Sequence, residues 1–285
     1  MIDRSTLPEH QSYSVSMCKK FRDGGSGGNY KCNQILQVLD KMDEEPVEIR
    51  KLLITYALKH PSYTLRITIL SNLLWLRYKK QVEFVTKVAQ KGARVLDIGC
   101  GLGQTTAMLA TLRPDLKVNG IDLNEAQTWR DIKRHYGCHF QVGDALNLPF
   151  EEEFDIVVSF GVMEHVKNDE KFLREVHRVL VSGGHNFIFN LPNKYALPEF
   201  LGKIFVGASH ERRYTKQEII KLLAKARFRH FRIEKEFIVP AHVDRVSKIL
   251  GNVFDKHYLL IDRVDSNLSK VLAFFSESFR VYCRK

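Results

Sequence analysis

A glycine-rich turn is the first place where residue types and their spacing could do chemistry. It consists of residues 95–103, Val-Leu-Asp-Ile-Gly-Cys-Gly-Leu-Gly, between a predicted strand and a predicted helix. Glycine is needed where the backbone turns tightly and a ligand approaches without a Cβ in the way. A dinucleotide fingerprint would place its third glycine at Gln104, and the Gly-Lys-Ser/Thr of a phosphate-binding loop is absent. The spacing therefore disfavours both of these nucleotide sites.

Three aspartates stand at the ends of the predicted strands around this turn. Asp122 ends the second strand, where its carboxylate can accept hydrogen bonds from both hydroxyls of a ribose. Asp144 follows the third strand and can accept a hydrogen bond from an adenine amino group, while Asp97 lies within reach of a cationic ligand group. Three acidic strand ends suit a positively charged nucleoside better than a phosphate. A sulfonium that bears an amino acid fits this description.

The elements that must position these residues begin at Arg94, where short apolar runs alternate with helical spacing. This alternation predicts an α/β fold with a doubly wound, mostly parallel sheet. Ser182-Gly183-Gly184 predicts a helix end, and Thr215 with Glu218 forms a predicted capping box. The predicted strands are 94–98, 117–121, 139–142, 154–160, 186–191, 228–239 and 279–284, and the predicted helices are 105–112, 125–135, 169–180 and 215–226.

The chain outside this alternation is predicted to be flexible or helical. Residues 1–29 form a flexible N-terminal segment, whose Gly24–Gly28 stretch is either a natural loop or an introduced linker. Residues 30–91 form a helical cap, with a long helix from near Ser62 to Gly92. Residues 92–285 form the ligand-binding domain, with insertions at about 192–214 and a mostly helical one at 241–275.

Charge is unevenly distributed along the chain. The net charge of +11 divides into +6 for residues 1–91, −4 for residues 92–190 and +9 for residues 191–285. Basic flanks can attract an anionic substrate, a membrane surface or RNA, or can simply be solvated. The N-terminus lacks the apolar region of a signal peptide, and the apolar stretch Ile67–Leu76 is too short to span a bilayer. Transient membrane-surface contact stays open, as does the oligomeric state.

Cysteine usage predicts a cytoplasmic protein. The five cysteines are odd in number and scattered, with neither metal-ligand spacing nor a disulfide framework. We expect no metal site. Cys100, inside the glycine turn, is either a nucleophile or, as we prefer, a small buried residue.

Five ordered motifs resemble the class I S-adenosylmethionine-dependent methyltransferase superfamily, in particular its small-molecule, type 11-like branch. They are residues 95–103, Asp122, residues 143–145, residues 154–166 and residues 180–184, so the resemblance covers about residues 92–230. It implies a Rossmann-like seven-stranded sheet with an N-terminal helical cap and a C-terminal helical insertion. It also implies S-adenosylmethionine as the cofactor. Relatives often have Ala-Gly-Phe after the last helix, where this chain has Ala226-Arg227-Phe228.

The resemblance assigns cofactor contacts by position. Gly99 and Gly101 face the methionine moiety, Asp122 binds the ribose, and Asp144 and Ala145 bracket the adenine. The predicted cofactor-binding set is Asp97, Gly99, Cys100, Gly101, Gly103, Asp122, Leu123, Asp144, Ala145 and Phe160.

Candidate catalytic residues lie past the fourth strand and in the flanks. Methyl transfer needs positioning and water exclusion, with a base where the acceptor must lose a proton. His165 and Glu164 could act as that base or, as we prefer because many relatives share this Glu-His pair, could support the cofactor turn. His210 and Tyr30 are further candidates.

The acceptor is the least specified part of the prediction. No Asn/Asp-Pro-Pro-aromatic motif follows the fourth strand, which argues against methylation of a nucleic-acid base amine. We predict a methyltransferase of secondary metabolism that acts at O or C of a small apolar or anionic acceptor: a lipid, isoprenoid, polyketide or sugar intermediate. Arg212 and Arg213 could bind an anionic group or form a solvated turn. The alternatives are an RNA methyltransferase and a cofactor-binding fold with a regulatory or cyclase-like role.

Overall fold

One seven-stranded sheet is the main feature of the computed structural model, which describes residues 47–59, 71–196, 212–239 and 248–285. The strands are β1 (Arg94–Ile98), β2 (Lys117–Asp122), β3 (His139–Val142), β4 (Phe154–Phe160), β5 (Leu180–Pro192), β6 (His230–Glu236) and β7 (Ser278–Arg284). Their order across the sheet is β3-β2-β1-β4-β5-β7-β6. Only β7 runs antiparallel to its neighbours β5 and β6 among the described strands. The prediction of a seven-stranded, mostly parallel, doubly wound sheet is confirmed.

Eight described helices accompany the strands. They are α1 (Val47–Lys59), α2 (Asn72–Val88), α3 (Gln104–Leu112), α4 (Thr128–Tyr136), α5 (Asp169–Val179), α6 (Lys216–Lys225), α7 (Lys248–Lys256) and α8 (Tyr258–Val271), and a short 3₁₀ turn follows at Ala273–Phe275. The chain divides into two compact units, Met1–Leu70 and Ser71–Lys285. Helix α1 belongs to the first unit, and α2 to α8 belong with the sheet to the second.

Alternating side chains on the strands form two apolar layers. Phe187 of β5 contacts Phe84 of α2 edge to face, at 5.8 Å between ring centroids. Its neighbour Ile188 belongs instead to a buried cluster with Phe172 and Val176 of α5. Since successive residues of a strand point to opposite faces, α2 covers one face of the sheet and α5 covers the other.

Two predicted boundaries are wrong for local reasons. Helix α2 begins at Asn72 rather than near Ser62, because the side chain of Ser71 accepts a hydrogen bond from the Leu74 amide and caps the helix. It ends at Val88, before Gly92. The predicted cap ending at residue 91 stays a prediction, although α2 is grouped with the sheet.

Strand β5 also begins earlier than predicted. It starts at Leu180, directly after α5, and not at Asn186. Leu180 already pairs with Phe154, and the pairing then jumps to Ile156 with His185. Gly183, at φ 77°, lies in the extra residues of this irregularity. The Ser-Gly-Gly sequence therefore marks an irregular stretch inside the strand instead of the helix end.

The topology determines where a ligand can bind. Strands β2 and β3 follow β1 to one side, whereas β4 and β5 lie on its other side. Helix connections diverge at the carboxyl ends of β1 and β4, which leaves a crevice there. The glycine turn follows β1 and His165 follows β4, so both lie at this edge.

Candidate functional site

The glycine turn forms a cradle in which two positions exclude any side chain. Gly99, Gly101 and Gly103 all adopt left-handed backbone conformations, with φ between 50° and 81°. A Cβ on Gly99 would lie 2.4 Å from Val162 Cγ2, and one on Gly103 would lie 2.8 Å from Phe140 Cζ. A Cβ on Gly101 would meet no atom within 4 Å. The backbone at Gly101 therefore borders open space, where a ligand can approach it.

Asp122 fixes this cradle from the end of β2. Its Oδ2 accepts a hydrogen bond from the Gly101 amide at 2.9 Å, and its Oδ1 accepts one from the Asn124 amide at 3.1 Å. A carboxylate has about four acceptor sites, so Asp122 keeps capacity for ribose hydroxyls. A direct hydrogen bond therefore joins Asp122 to the glycine turn, and their shared role in cofactor binding stays a prediction.

Trp129 is a second support, and sequence reasoning missed it. Its indole Nε1 donates to the Gly101 carbonyl at 2.7 Å, and its ring stacks on Phe140 at 5.1 Å between centroids. Thr128 donates to the Leu102 carbonyl at 2.7 Å. These residues lie 26 to 28 positions from their partners. In the sequence, Trp129 is an aromatic residue in the first turn of α4. Its position there does not differ from that of an ordinary core residue.

Asp97 is a buried carboxylate with one engaged oxygen. Its Oδ2 accepts hydrogen bonds from the hydroxyls of Thr105 and Thr106, each at 2.7 Å. Its Oδ1 is buried and has no hydrogen-bond partner among the described residues. Burial raises the pKa of Asp97 to about 6, although the two threonine hydroxyls lower it. A cationic group bound at Oδ1 would relieve this cost, as the sequence prediction requires.

Exposed apolar side chains lie at the ends of β2 and β3, near the predicted adenine contacts, where a flat ring could pack on them. Leu123 follows Asp122 and is 65% exposed, while Val142, the register partner of Asp122, is 52% exposed. Asp144 is exposed, and its Oδ1 accepts a hydrogen bond from the Leu146 amide at 2.8 Å. Ala145 packs against the core beside them. The predicted adenine contacts Asp144 and Ala145 thus lie next to exposed apolar side chains.

Three aromatic rings lie together at the carboxyl end of β4. Phe160 stacks on Phe189 at 4.9 Å and contacts Tyr78 of α2 at 5.9 Å between ring centroids. Burial, together with the negative charges of Glu164 and Asp97, raises the pKa of Tyr78 to about 12. The Tyr78 hydroxyl therefore keeps its proton at neutral pH. The sequence assigned Tyr78 only to a helical apolar stripe.

Beside these rings lies a polar cluster that the sequence did not predict. Gln81 Nε2 donates to Asn190 Oδ1 at 2.8 Å and to Glu236 Oε2 at 3.0 Å. Glu236 also pairs with Arg280 at 3.0 Å, while burial raises its pKa. Asn190 has a φ of 59°, in the left-handed region that asparagine adopts more readily than other non-glycine residues.

Glu164 and His165 differ in exposure. The side chain of Glu164 is 3% exposed, whereas that of His165 is 63% exposed. Glu164 Oε1 lies 3.8 Å from His165 Nε2, and the His165 amide donates to the Val162 carbonyl at 2.9 Å. The carboxylate is thus buried, and the imidazole is exposed in the segment that follows β4. This arrangement suits support by Glu164 and proton transfer by His165.

The remaining sequence candidates have varied outcomes. Arg212 donates to the Val166 carbonyl at 2.8 Å and lies 3.7 Å from Asp169. Its guanidinium thus links the segment before α6 to the segment between β4 and α5. Cys100 is buried, and burial strongly raises the pKa of its thiol, which opposes a nucleophilic role. His210 and Tyr30 lie outside the described residues. Within the described ranges, no group of three or more His, Cys, Asp or Glu side chains is placed to hold a metal ion.

None of the described helices combines the length and the apolar character needed to cross a bilayer.

Comparisons with known proteins agree with this geometry. Residues 96–188 match a family model described as a methyltransferase domain. The chain is 31% identical over 202 residues to phthiotriol/phenolphthiotriol dimycocerosates methyltransferase 1 of Mycobacterium ulcerans. This alignment covers 70% of this chain and 69% of that protein. It is 28% identical over 185 residues to the probable tRNA methyltransferase 9B of Mus musculus, over 63% of this chain and 35% of that protein.

Coverage of other relatives is lower. The chain spans about 40% of the length of the first curated relatives that it matches. Among solved structures, it is similar in fold to Haemonchus contortus phosphoethanolamine N-methyltransferase 2 in complex with S-adenosyl-L-methionine. The TM-score is 0.54 at 19% identity, over 87% of this chain and 59% of that chain.

Proposed function

This chain belongs to the class I S-adenosylmethionine-dependent methyltransferase superfamily, and on that premise we propose that it methylates a small, apolar or lipid-like acceptor. The observation that carries the proposal is the crevice itself: Gly99 of the cradle packs close to Val162, just after β4, and the rings of Tyr78, Phe160 and Phe189 contact one another at the end of β4. When bound, S-adenosylmethionine supplies an electrophilic methyl group on a sulfonium.

The cradle residues fit this cofactor in charge and shape. Asp97 would receive the ammonium of the methionine moiety at its buried Oδ1, which lacks a hydrogen-bond partner among the described residues. The open backbone at Gly101 would lie against the methionine moiety, and Asp122 would hold the ribose. Leu123 and Val142 would cover the adenine with their exposed apolar surface. Each contact meets one chemical part of the cofactor.

The acceptor side of the crevice is apolar with one polar flank. Stacked rings exclude water, which strengthens electrostatic interactions during transfer and protects the sulfonium from hydrolysis. The cluster of Gln81, Asn190 and Glu236 offers hydrogen bonds to a hydroxyl of the acceptor. The M. ulcerans relative, whose name gives a lipid acceptor, aligns with most of this chain and supports the same class. An oxygen or carbon acceptor then needs a base.

His165 is our candidate for that base. Its exposed imidazole can take a proton from the acceptor and release it to solvent, while buried Glu164 at 3.8 Å orients the ring and stabilises the imidazolium. Tyr78 keeps its proton and can donate a hydrogen bond to a developing oxyanion. The chain thereby supplies positioning, water exclusion and one proton transfer.

The proposal is tested with methyl-labelled cofactor. The full chain is incubated with lipid, polar-metabolite and RNA fractions of a lysate, and Asp122→Ala serves as the binding-deficient control. We expect label in an organic-soluble product, lost with Asp122→Ala and reduced about 10²-fold or more with His165→Asn. Unchanged turnover in His165→Asn would remove the base assignment but leave the acceptor class intact. Label confined to RNA would overturn the acceptor class.

RNA methylation is the second candidate, and one relative favours it. The chain aligns over 63% of its length with the probable tRNA methyltransferase 9B, and its C-terminal flank is basic. Phosphate contacts would make RNA binding fall steeply with salt. Retention of tRNA at low salt with a steep decline would favour this candidate. Label in no fraction, despite cofactor binding, would favour a non-methylating role.

A further inference from the structure

Helix α8 has its polarity reversed relative to an ordinary surface helix. Its inward side carries two carboxylates, Asp262 and Asp265, which are 7% and 2% exposed. Its outward side carries an apolar stripe at intervals of four, four and three residues: Leu260, Val264, Leu268 and Val271. A helix that packs on a protein core normally turns its apolar stripe inward. Both the buried carboxylates and the exposed apolar side chains of α8 therefore need an explanation.

The inward side is explained by a buried ionic network with α2. Asp265 Oδ2 accepts a hydrogen bond from Arg77 at 3.0 Å, and its Oδ1 accepts two more from the amides of Ile238 and Val239. Asp262 pairs with Lys80 one turn along α2. Rolling α8 over would carry Asp265 away from Arg77, which would stay buried with only the more distant Glu277 at 3.5 Å, and would take the acceptor from the Ile238 and Val239 amides, which is destabilising. The network therefore holds the apolar stripe outward.

The stripe belongs to a larger surface that we name the C-terminal apolar face. Fourteen large apolar side chains are exposed among the described residues, and ten of them lie between residues 250 and 275. This concentration exceeds the scatter expected of single exposed apolar residues. The face consists of Leu250, Val253, Leu259, Leu260, Val264, Leu268, Val271, Leu272, Phe274 and Phe275.

One end of the face reaches the edge of the sheet where the crevice opens. Asn193 follows the carboxyl end of β5, and its Nδ2 donates to the Phe274 carbonyl at 3.1 Å. Tyr195 stacks on the Phe274 ring at 5.1 Å between centroids and is itself half exposed. The apolar surface therefore runs from α7 along α8 to the same edge of the sheet as the cofactor cradle.

The exposed charged side chains around the C-terminal apolar face are all positive. Lys256 and Arg263 are exposed, and Lys235 Nζ lies 5.0 Å from the centre of the Phe274 ring. Within residues 248–285, by contrast, no carboxylate side chain is exposed. The four carboxylates there all bond to residues of α2: Asp255 to Asn72, Asp262 to Lys80, and Asp265 and Glu277 to Arg77. An apolar surface rimmed by cations complements an anionic lipid surface.

We propose that the C-terminal apolar face docks on the surface of a membrane that contains anionic lipids. Its apolar side chains would enter the boundary between headgroups and acyl chains, while Lys256, Arg263 and Lys235 would meet lipid phosphates. Docking would orient the crevice edge toward the bilayer, from which a lipid-like acceptor can enter. This last step rests on the proposed function, whereas docking itself does not require methyl transfer.

The test measures sedimentation of the full chain with vesicles of phosphatidylcholine alone or mixed with phosphatidylserine. We expect binding to the mixed vesicles, with at least a tenfold loss in a variant that combines Leu260→Ser, Val264→Ser, Leu268→Ser and Val271→Ser. All four side chains are exposed, so the variant keeps its fold, which thermal unfolding checks. The matched control is Phe231→Ser, which removes an exposed apolar side chain from β6 outside the face.

A second variant separates the charge contribution. Lys256→Glu with Arg263→Glu should lower binding to phosphatidylserine vesicles at least tenfold, and 0.5 M salt should lower wild-type binding similarly. Cofactor affinity by calorimetry should stay unchanged in both variants, because neither touches the cradle.

Three results would overturn docking. The first is wild-type chain that stays in solution with both vesicle types. The second is an equal loss of binding in Phe231→Ser. The third is a dimer in solution that the serine variant converts to monomer, which would assign the face to a second copy. Failure of the proposed function is distinct, since it would abolish label transfer while vesicle binding persists.

Discussion

Replacing Asp97 with asparagine should stabilise the protein and at the same time weaken cofactor binding. Burial raises the pKa of Asp97 from its ordinary value of 3.8 to about 6. This difference corresponds to about 3 kcal/mol in favour of the protonated form. Asparagine is close in shape and uncharged, and its carbonyl oxygen can still accept the hydrogen bonds of Thr105 and Thr106. Well above pH 6, Asp97→Asn should therefore raise the free energy of unfolding without cofactor by up to about 3 kcal/mol.

The raised pKa of Asp97 also predicts how the stability of the wild-type protein changes with pH. Between pH 4 and pH 6, folded wild-type protein holds a proton on Asp97 that the unfolded chain has released. The contribution of this group to stability is thus fully present below pH 4 and is lost as the pH rises through 6. Asp97→Asn lacks this loss, so the two proteins should converge in stability at pH 4. Cofactor binding should strengthen in wild type as the pH rises through 6, because only the ionised carboxylate attracts the ammonium.

Thermal unfolding at pH 4.0 and 8.0, with and without S-adenosylmethionine, measures both effects. For a unit of this size, about 3 kcal/mol corresponds to about 6 to 12 °C in melting temperature at pH 8. Cofactor affinity, from calorimetry, should fall at least tenfold in Asp97→Asn. Asp131→Asn is the control, because it removes an exposed carboxylate from α4. A variant that is less stable at pH 8, or that binds the cofactor normally, would refute the reasoning.

Three further substitutions probe the same unit. Asp122→Ala removes the acceptor that fixes the Gly101 amide, so calorimetry should show at least a tenfold loss of cofactor affinity; unchanged affinity would contradict the site assignment. Gly99→Ala places a Cβ 2.4 Å from Val162 Cγ2 at a φ of 69° and should cost about 2 kcal/mol or more in chemical denaturation. Arg227→Gly relieves a φ of 69° and should raise the melting temperature by about 2 to 4 °C, whereas a decrease would show that the Arg227 side chain stabilises the turn.

Sequence reasoning predicted the parts of the site that adjacency along the chain determines. Three glycines directly after an apolar strand require a left-handed turn, and Gly99, Gly101 and Gly103 adopt one. Strand ends of a parallel sheet meet at one edge, which brought Asp122 to the turn. The Arg227 substitution for the usual glycine was also apparent from sequence, and the structure keeps the left-handed conformation there despite its strain.

Other parts depend on contacts between distant elements, for which periodicity gives no signal. Trp129 reaches the Gly101 carbonyl, and Tyr78 crosses from α2 to Phe160, yet both have the spacing of core residues. The polar cluster of Gln81 and Glu236 joins positions 155 residues apart. Alternation alone therefore predicted the sheet but could not identify which helix faces complete the crevice.

Helix α8 shows why a hydrophobic pattern does not by itself decide which side of a helix is buried. Its stripe of Leu260, Val264, Leu268 and Val271 would indicate an inward face by spacing alone. The opposite side is buried because Arg77 is already buried on α2, and Asp265 at 3.0 Å is its nearer carboxylate partner, ahead of Glu277 at 3.5 Å. Removing this partner from a buried charge costs more than exposing a row of leucine and valine, so electrostatics fixes the rotation of the helix.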